Sequence, residues 1–343
     1  IILRSSSVVL GEFFMGEKGF VVMTIEILMI VGFCLAAYSI VGNDVPQTLG
    51  TFISSNAHRP WWLLWLYTSS ILSVVLFYGW WASGVGDASY GRLETIAFPE
   101  SGITWLYIVP PILLILLTKY GIPVSTTFLV LTIFSPSSLG AMLTKSMMGY
   151  AVAFVVAIIV YRFVIKGISV YFSKTRDHKP SHLWIGLQWV STAFLWSQWL
   201  IQDLANIFVY VPRQVPLAFL IFAILVFVIL LGMIFYQRGG AIQKIIDTKT
   251  GVADIRSATI IDFIYALILL VFKEWSNIPM STTWVFLGLL AGREFALSMH
   301  LAEVNKYRTS RNVSKDAMKL MVGLIMSIVL ATTLPWFYNV ISG

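Results

Sequence analysis

The sequence predicts an all-α integral membrane protein of about ten membrane segments, arranged as two inverted repeats with polar hairpins. Three observations predict it. Hydrophobic residues make up 58% of the chain and charged residues 11%, with a mean hydropathy of +0.84, outside the soluble range. Uncharged runs recur along the whole length, several reaching the ~20 residues that cross a bilayer core. Finally, a Ser-Thr-Thr tripeptide stands two positions after a proline twice, within 121–127 and 277–283.

Taken in order, residues 1–23 are set aside as a leader, non-native or disordered. Glu12, Glu17 and Lys18 interrupt the apolar core a cleaved signal needs, and Met23 stands just before the first apolar span. The first repeat, 24–172, is expected to hold spans at Ile27–Val41, Trp61–Ala82, Ile103–Thr118, Tyr120–Thr144 and Ser146–Tyr161, the last two divided at Lys145. Whether 120–144 crosses or re-enters is open. Residues 173–182 form a basic cytoplasmic linker. The second repeat, 183–343, offers Leu183–Gln202, Gln214–Gln237, Asp262–Phe272, Trp275–Gly292 and Leu320–Gly343. Trp61, Trp62, Trp80 and Trp81 bracket one span as interfacial anchors. Asp262 and Glu274 flank the span before the second tripeptide and read as interfacial charges facing water.

The net charge of +7 reads as a topology signal and gives no reason to expect nucleic acid. Basic residues cluster in 162–179, 236–257 and 300–319, whereas 83–100 carries only Arg92 against Asp87, Glu94 and Glu100. Basic loops stay cytoplasmic. With five crossings per half and an outside amino terminus, the three basic segments fall inside and 83–100 outside. An odd number of crossings makes the repeats antiparallel. The one cysteine, Cys34, excludes an intramolecular disulfide and any multi-cysteine cluster.

The repeat extends to buried acids. Asp44 lies beside Asn43 and Gln47, and Asp203 beside Gln202 and Asn206, each where an apolar span ends. Asp44 precedes Ser125 by 81 positions and Asp203 precedes Ser281 by 78. An acid deep in an apolar segment costs about 2.5–3.5 kcal/mol on insertion scales, so it usually serves a function; the alternative is an interfacial helix cap. Carboxylates, amide oxygens and unwound backbone carbonyls are hard oxygen ligands for a small cation, so Na+ is expected at Asp44 and Asp203, with a proton as the other option. Ser125, Thr126, Thr127, Ser281, Thr282 and Thr283 would supply hydroxyl and helix-start N–H donors to an anion. A single copy reads as an ordinary N-cap; two copies in opposed halves point to a shared anion-plus-cation site.

Enzyme chemistry is not readable. His58, His178, His182 and His300 lack metal-ligand spacing, and the chain carries neither a nucleophile elbow nor a nucleotide-binding Walker loop. No cofactor is expected beyond a coupling ion.

These residues resemble the inorganic phosphate transporter (PiT) family, whose duplicated elements are Gly-Ala-Asn-Asp-Val-Ala-Asn and Leu-Pro-Val-Ser-Thr-Thr. Here they correspond to 41–47 with 121–127 and to 200–206 with 277–283, within a match over about 24–340. Val41, Gly42, Pro46 and Gln47 depart from the first element and Leu200 and Gln202 from the second. The glutamates that family members often carry in the second span of each half are missing from Trp61–Ala82 and Gln214–Gln237. The resemblance implies ion-coupled symport of inorganic phosphate with Na+ or H+ by alternating access. The six hydroxyl residues would hold the anion, and Asn43, Asp44, Asp203 and Asn206 would serve coupling. Sulfate or thiosulfate is the rival tetrahedral oxyanion, and a non-transporting membrane sensor the rival class. The expected setting is a multi-pass protein of a plasma or bacterial inner membrane, with a homo-oligomer left open.

Overall fold

The computed structural model describes residues 16–120, 122, 124–162, 181–240, 243, 255–298, 314, 318, 321–334, 336 and 340; for 16–25, 297 and 298 only the helical backbone is described. Most of the leader, the linker and the three basic segments, on which the orientation rests, lie outside these residues. Every regular element among them is helical: α1 (Gly16–Ser55), α2 (Trp61–Ala82), α3 (Val109–Lys119), α4 (Leu139–Val160), α5 (His182–Asp203), α6 (Ala205–Phe208), α7 (Leu217–Tyr236), α8 (Ile255–Trp275), α9 (Thr282–Ser298) and α10 (Met321–Leu334).

Among the described residues, five segments are long and apolar enough to cross a membrane: Glu26–Ser55, Trp61–Ala82, Pro136–Val160, Leu217–Tyr236 and Ile255–Trp275. Helix α7 shows why. Leu217, Ile221, Leu225, Ile229 and Met233 are exposed at four-residue spacing, while Leu220, Ala223, Phe227, Leu231 and Phe235 are buried. An apolar outer stripe fits a lipid solvent, where the backbone is satisfied within the helix. Helix α5 is as long as α2, but Gln188, Ser191, Thr192, Gln198, Gln202 and Asp203 are all buried on it. Its polar face therefore looks into the protein.

Three expected boundaries differ. Helix α1 does not end at 41–47; it runs on through Pro46 to Ser55. A proline ring presses on the carbonyl four residues back. That residue is Gly42, around which even an added Cβ would meet nothing within 4 Å, so the turn has room to relax. Second, α4 continues across Lys145, so the division there is not a loop. Third, 120–144 is not one span. After α3, the chain passes 124–126 into a single π-helical turn (Thr127–Leu131), then breaks at Ser135-Pro136 before α4. Likewise α8 and α9 are separated by 276–281, so Trp275–Gly292 contains a hairpin tip. Residues 16–23 continue directly into α1.

Two packing devices position the tips. The first is a seam of small residues between α4 and α9. A Cβ on Gly288 would lie 2.5 Å from the Tyr150 carbonyl oxygen, and one on Gly292 2.3 Å from that of Phe154. Small residues at four-residue spacing let membrane helices approach this closely. The second is the 83–104 connection, packed against the stretch after α6. Gly86 has φ +85° and its Cβ would meet the Val215 carbonyl oxygen at 2.9 Å, so only glycine fits comfortably there. The Gly86 carbonyl accepts the Val215 N–H (3.1 Å), the Val215 carbonyl accepts the Trp80 indole N–H (2.8 Å), and Arg213 donates to the Ile96 carbonyl (2.7 Å).

Candidate functional site

The two Ser-Thr-Thr tips meet in the interior. Thr127 Oγ1 donates to the Met280 carbonyl (3.1 Å), and Thr283 Oγ1 donates back to the Val124 carbonyl (3.4 Å). The Phe128 and Trp284 rings meet edge to face between them, 5.5 Å apart. At each tip the serine does the same local work: Ser125 Oγ accepts the Phe128 N–H (3.2 Å) and Ser281 Oγ the Trp284 N–H (3.3 Å). Both bonds satisfy a helix-start donor in the manner of an N-cap.

Each acid joins the threonine that follows the serine. Asp44 Oδ2 accepts from Thr126 Oγ1 (2.9 Å), and Asp203 Oδ2 from Thr282 Oγ1 (2.6 Å). Asp44 Oδ1 also accepts from Asn43 (2.6 Å) and, more weakly, Gln47 (3.4 Å), and Asn43 donates to the Val124 carbonyl (2.9 Å). Asn206 ties the sets together, donating to Asp203 Oδ1 (2.8 Å), Thr126 Oγ1 (3.2 Å) and Thr127 Oγ1 (3.3 Å). Both acids are essentially buried, at 1% and 0% exposure. Expected anion and cation groups thus form one cluster, in which the threonine hydroxyls donate to the carboxylates.

Gln202 is the one predicted site residue turned elsewhere: its amide donates to the Leu269 carbonyl on α8 (2.9 Å). The amide oxygens of Gln47, Gln202 and Asn206 are buried with no donor. A further acceptor comes from α1, because Pro46 has no N–H to offer the Gly42 carbonyl. The region is rich in unspent oxygen. A cavity of about 280 Å3 opens beside it, lined by Gly42, Ser39, Thr118, Lys119 and Gly239 among others. Thr118 reaches from its wall to Asn43 Oδ1 (3.4 Å).

Sequence reasoning missed three charged side chains. Asp262 does not face water: it is 1% exposed, accepting from Thr51 Oγ1 (2.5 Å) on α1 and Thr192 Oγ1 (2.8 Å) on α5. The available signal was its distance from any basic partner within an apolar run. Lys145 is buried on α4, and its Nζ donates to the carbonyls of Ser276 (2.6 Å) and Ile278 (2.9 Å). Arg92 is also buried, donating from Nη2 to the same Ile278 carbonyl (3.1 Å). Burial pulls its guanidinium down to about 10, and the neighbouring Asp203 charge acts the other way; it stays charged at neutral pH. As the single cation of an acidic loop, Arg92 could have been noticed.

A solved structure of the sodium-dependent phosphate transporter shares this fold, with a TM-score of 0.58 and 16% identity over 92% of this chain and 99% of that one. The chain is a multi-pass integral membrane protein. At that identity the likeness establishes the architecture alone. No protein-family model matches the chain, and no curated protein sequence matches it.

Proposed function

We propose that this protein is a divergent inorganic phosphate transporter, a secondary carrier that symports phosphate with Na+ or H+ by alternating access between two inverted repeats. The membrane would be a plasma or bacterial inner membrane. The observation that carries this reading is the pair of buried acid–threonine bonds, Asp44–Thr126 and Asp203–Thr282, bridged by Asn206.

Coupling follows from who holds the hydroxyl protons. An arriving oxyanion needs the Thr126 and Thr282 donors that the carboxylates now accept. Taking them strips each carboxylate of a charge-assisted bond and sets an anion beside it. Two like charges about 4 Å apart repel by about 4 kcal/mol at an effective dielectric constant near 20, roughly a thousandfold in affinity. A cation or proton at Asp44 and Asp203 removes that penalty, so anion and cation bind together or poorly. The unpartnered oxygens of Gln47 and Asn206 and the Gly42 carbonyl are the hard ligands Na+ prefers. Helix-start N–H groups complete the anion's shell without requiring a charged side chain in contact.

The test is radiolabelled phosphate uptake into proteoliposomes, with and without a sodium or proton gradient, and with sulfate as competitor. Gradient-driven uptake that resists sulfate, and that Asp44→Asn and Asp203→Asn each abolish without loss of insertion, is the expected result. Unchanged uptake in both variants rejects the coupling role. Faster carriage of sulfate than of phosphate reassigns the substrate.

A further inference from the structure

The second tip carries something the first does not. Arg92 and Lys145 arrive there from different elements, the 83–104 connection and α4, and share one acceptor, the Ile278 carbonyl. Their nitrogens therefore lie within about 6 Å of each other, close enough to repel strongly away from water. Neither donates to a carboxylate among the described residues; Lys145 is spent on the backbone of Ser276 and Ile278. Arg92 is 1% exposed, yet its Nε and Nη1 have no hydrogen-bond partner at all. Two buried cations with unspent donors face one nearby acid, Asp203, which hydrogen-bonds to neither, so a complement is still wanting, and that complement is an anion. A guanidinium fork matches the edge of a tetrahedral oxyanion, and one fork remains open, Nη2 with either Nε or Nη1, because Ile278 takes only one of the two Nη2 hydrogens. Next to Lys145, Ser146 Oγ already accepts the Ser281 N–H (2.9 Å), so α4 meets the tip at the residue that opens its Ser-Thr-Thr run.

We propose that Arg92 and Lys145 form an oxyanion-binding position on the 83–104 side of the second tip, next to the threonine cluster, which captures inorganic phosphate or sulfate before it reaches Thr282 and Thr283. The inference rests on the oxyanion-transport reading above and adds a second station on one side only. The first tip has the cavity containing Lys119 beside it and no buried guanidinium among its described neighbours.

Two measurements on the full chain test it: equilibrium binding of radiolabelled phosphate and of radiolabelled sulfate to the purified protein, and uptake in vesicles of each orientation. Arg92→Gln and Lys145→Gln should each weaken binding of the preferred oxyanion at least tenfold. They should raise the uptake KM at least tenfold when substrate is presented on the 83–104 side, and change it less than twofold from the opposite side. Arg92→Lys, which keeps the charge, should recover part of the loss. Gel filtration checks that each variant remains folded; should Arg92→Gln fail this check, Lys145→Gln carries the test. Equal KM rises from both sides would mean the pair merely docks the tip, and would overturn the proposal. So would unchanged binding in folded variants, with transport intact. Wild-type protein that binds an oxyanion through Arg92 and Lys145 but moves none in either orientation would reject the transport reading while leaving the binding position. Wild-type protein that binds neither oxyanion overturns both.

Discussion

Replacing Gly292 with alanine adds one methyl group where α9 crosses α4. The new Cβ would lie 2.3 Å from the Phe154 carbonyl oxygen and 2.9 Å from Ala157 Cβ, whereas ordinary contact begins at 3.4 Å. The obstacle is backbone, which cannot rotate aside, so the helices must part locally by roughly 1 Å and give up contact on both flanks. Overpacking of this kind costs about 1–3 kcal/mol. Gly186→Ala on α5 is the matched control, because its Cβ would meet nothing within 4 Å; relief of glycine's helix penalty should stabilise it by up to about 1 kcal/mol. The two variants should therefore differ by about 1–4 kcal/mol in unfolding from mixed micelles, followed by tryptophan emission. Because α9 opens with Thr282 and Thr283, Gly292→Ala should lower uptake as well. Equal stabilities for the two alanine variants would refute the packing argument.

Two further outcomes follow from the interior. Pro46→Ala returns a donor to the Gly42 carbonyl and removes a helix-interior proline worth about 3 kcal/mol; thermal stability should rise while sodium- or proton-driven uptake falls, measured on the same preparation. Thr51→Val and Thr192→Val each remove a hydroxyl from the buried Asp262 carboxylate. Each should cost about 1.5–3 kcal/mol, with the double variant departing from additivity because the two donors serve one acid.

The parts legible in the sequence were the ones that disturbed an apolar background twice. Asp44 and Asp203 stood out because acids in such runs are rare, and the two tripeptides because their spacing from those acids matched. What stayed hidden was direction. A lone charge in an apolar run looks the same whether it ends a helix or points inward from the middle of one. By local pattern Lys145 reads as a boundary and Asp262 as a solvated flank, yet both lie inside helices and find partners on neighbouring elements. Arg92 needed the tertiary contact to Ile278, 186 positions away, which no local pattern carries. The continuity of α1 through Pro46 depended on the empty space around Gly42, and Gln202 turned away because the Leu269 carbonyl was within reach.

The crossed bonds between the tips, Thr127 to Met280 and Thr283 to Val124, also make the two halves of the chain depend on one another. Each half lends a hydroxyl to a carbonyl that only the other half possesses, and Asn206 reaches across to Thr126 and Thr127 in the same way. A half made alone would leave the Met280 carbonyl without its Thr127 donor, while Val124 would keep the bond from Asn43. Each tip is thus completed by the other, although only the second is held by an arginine and a lysine.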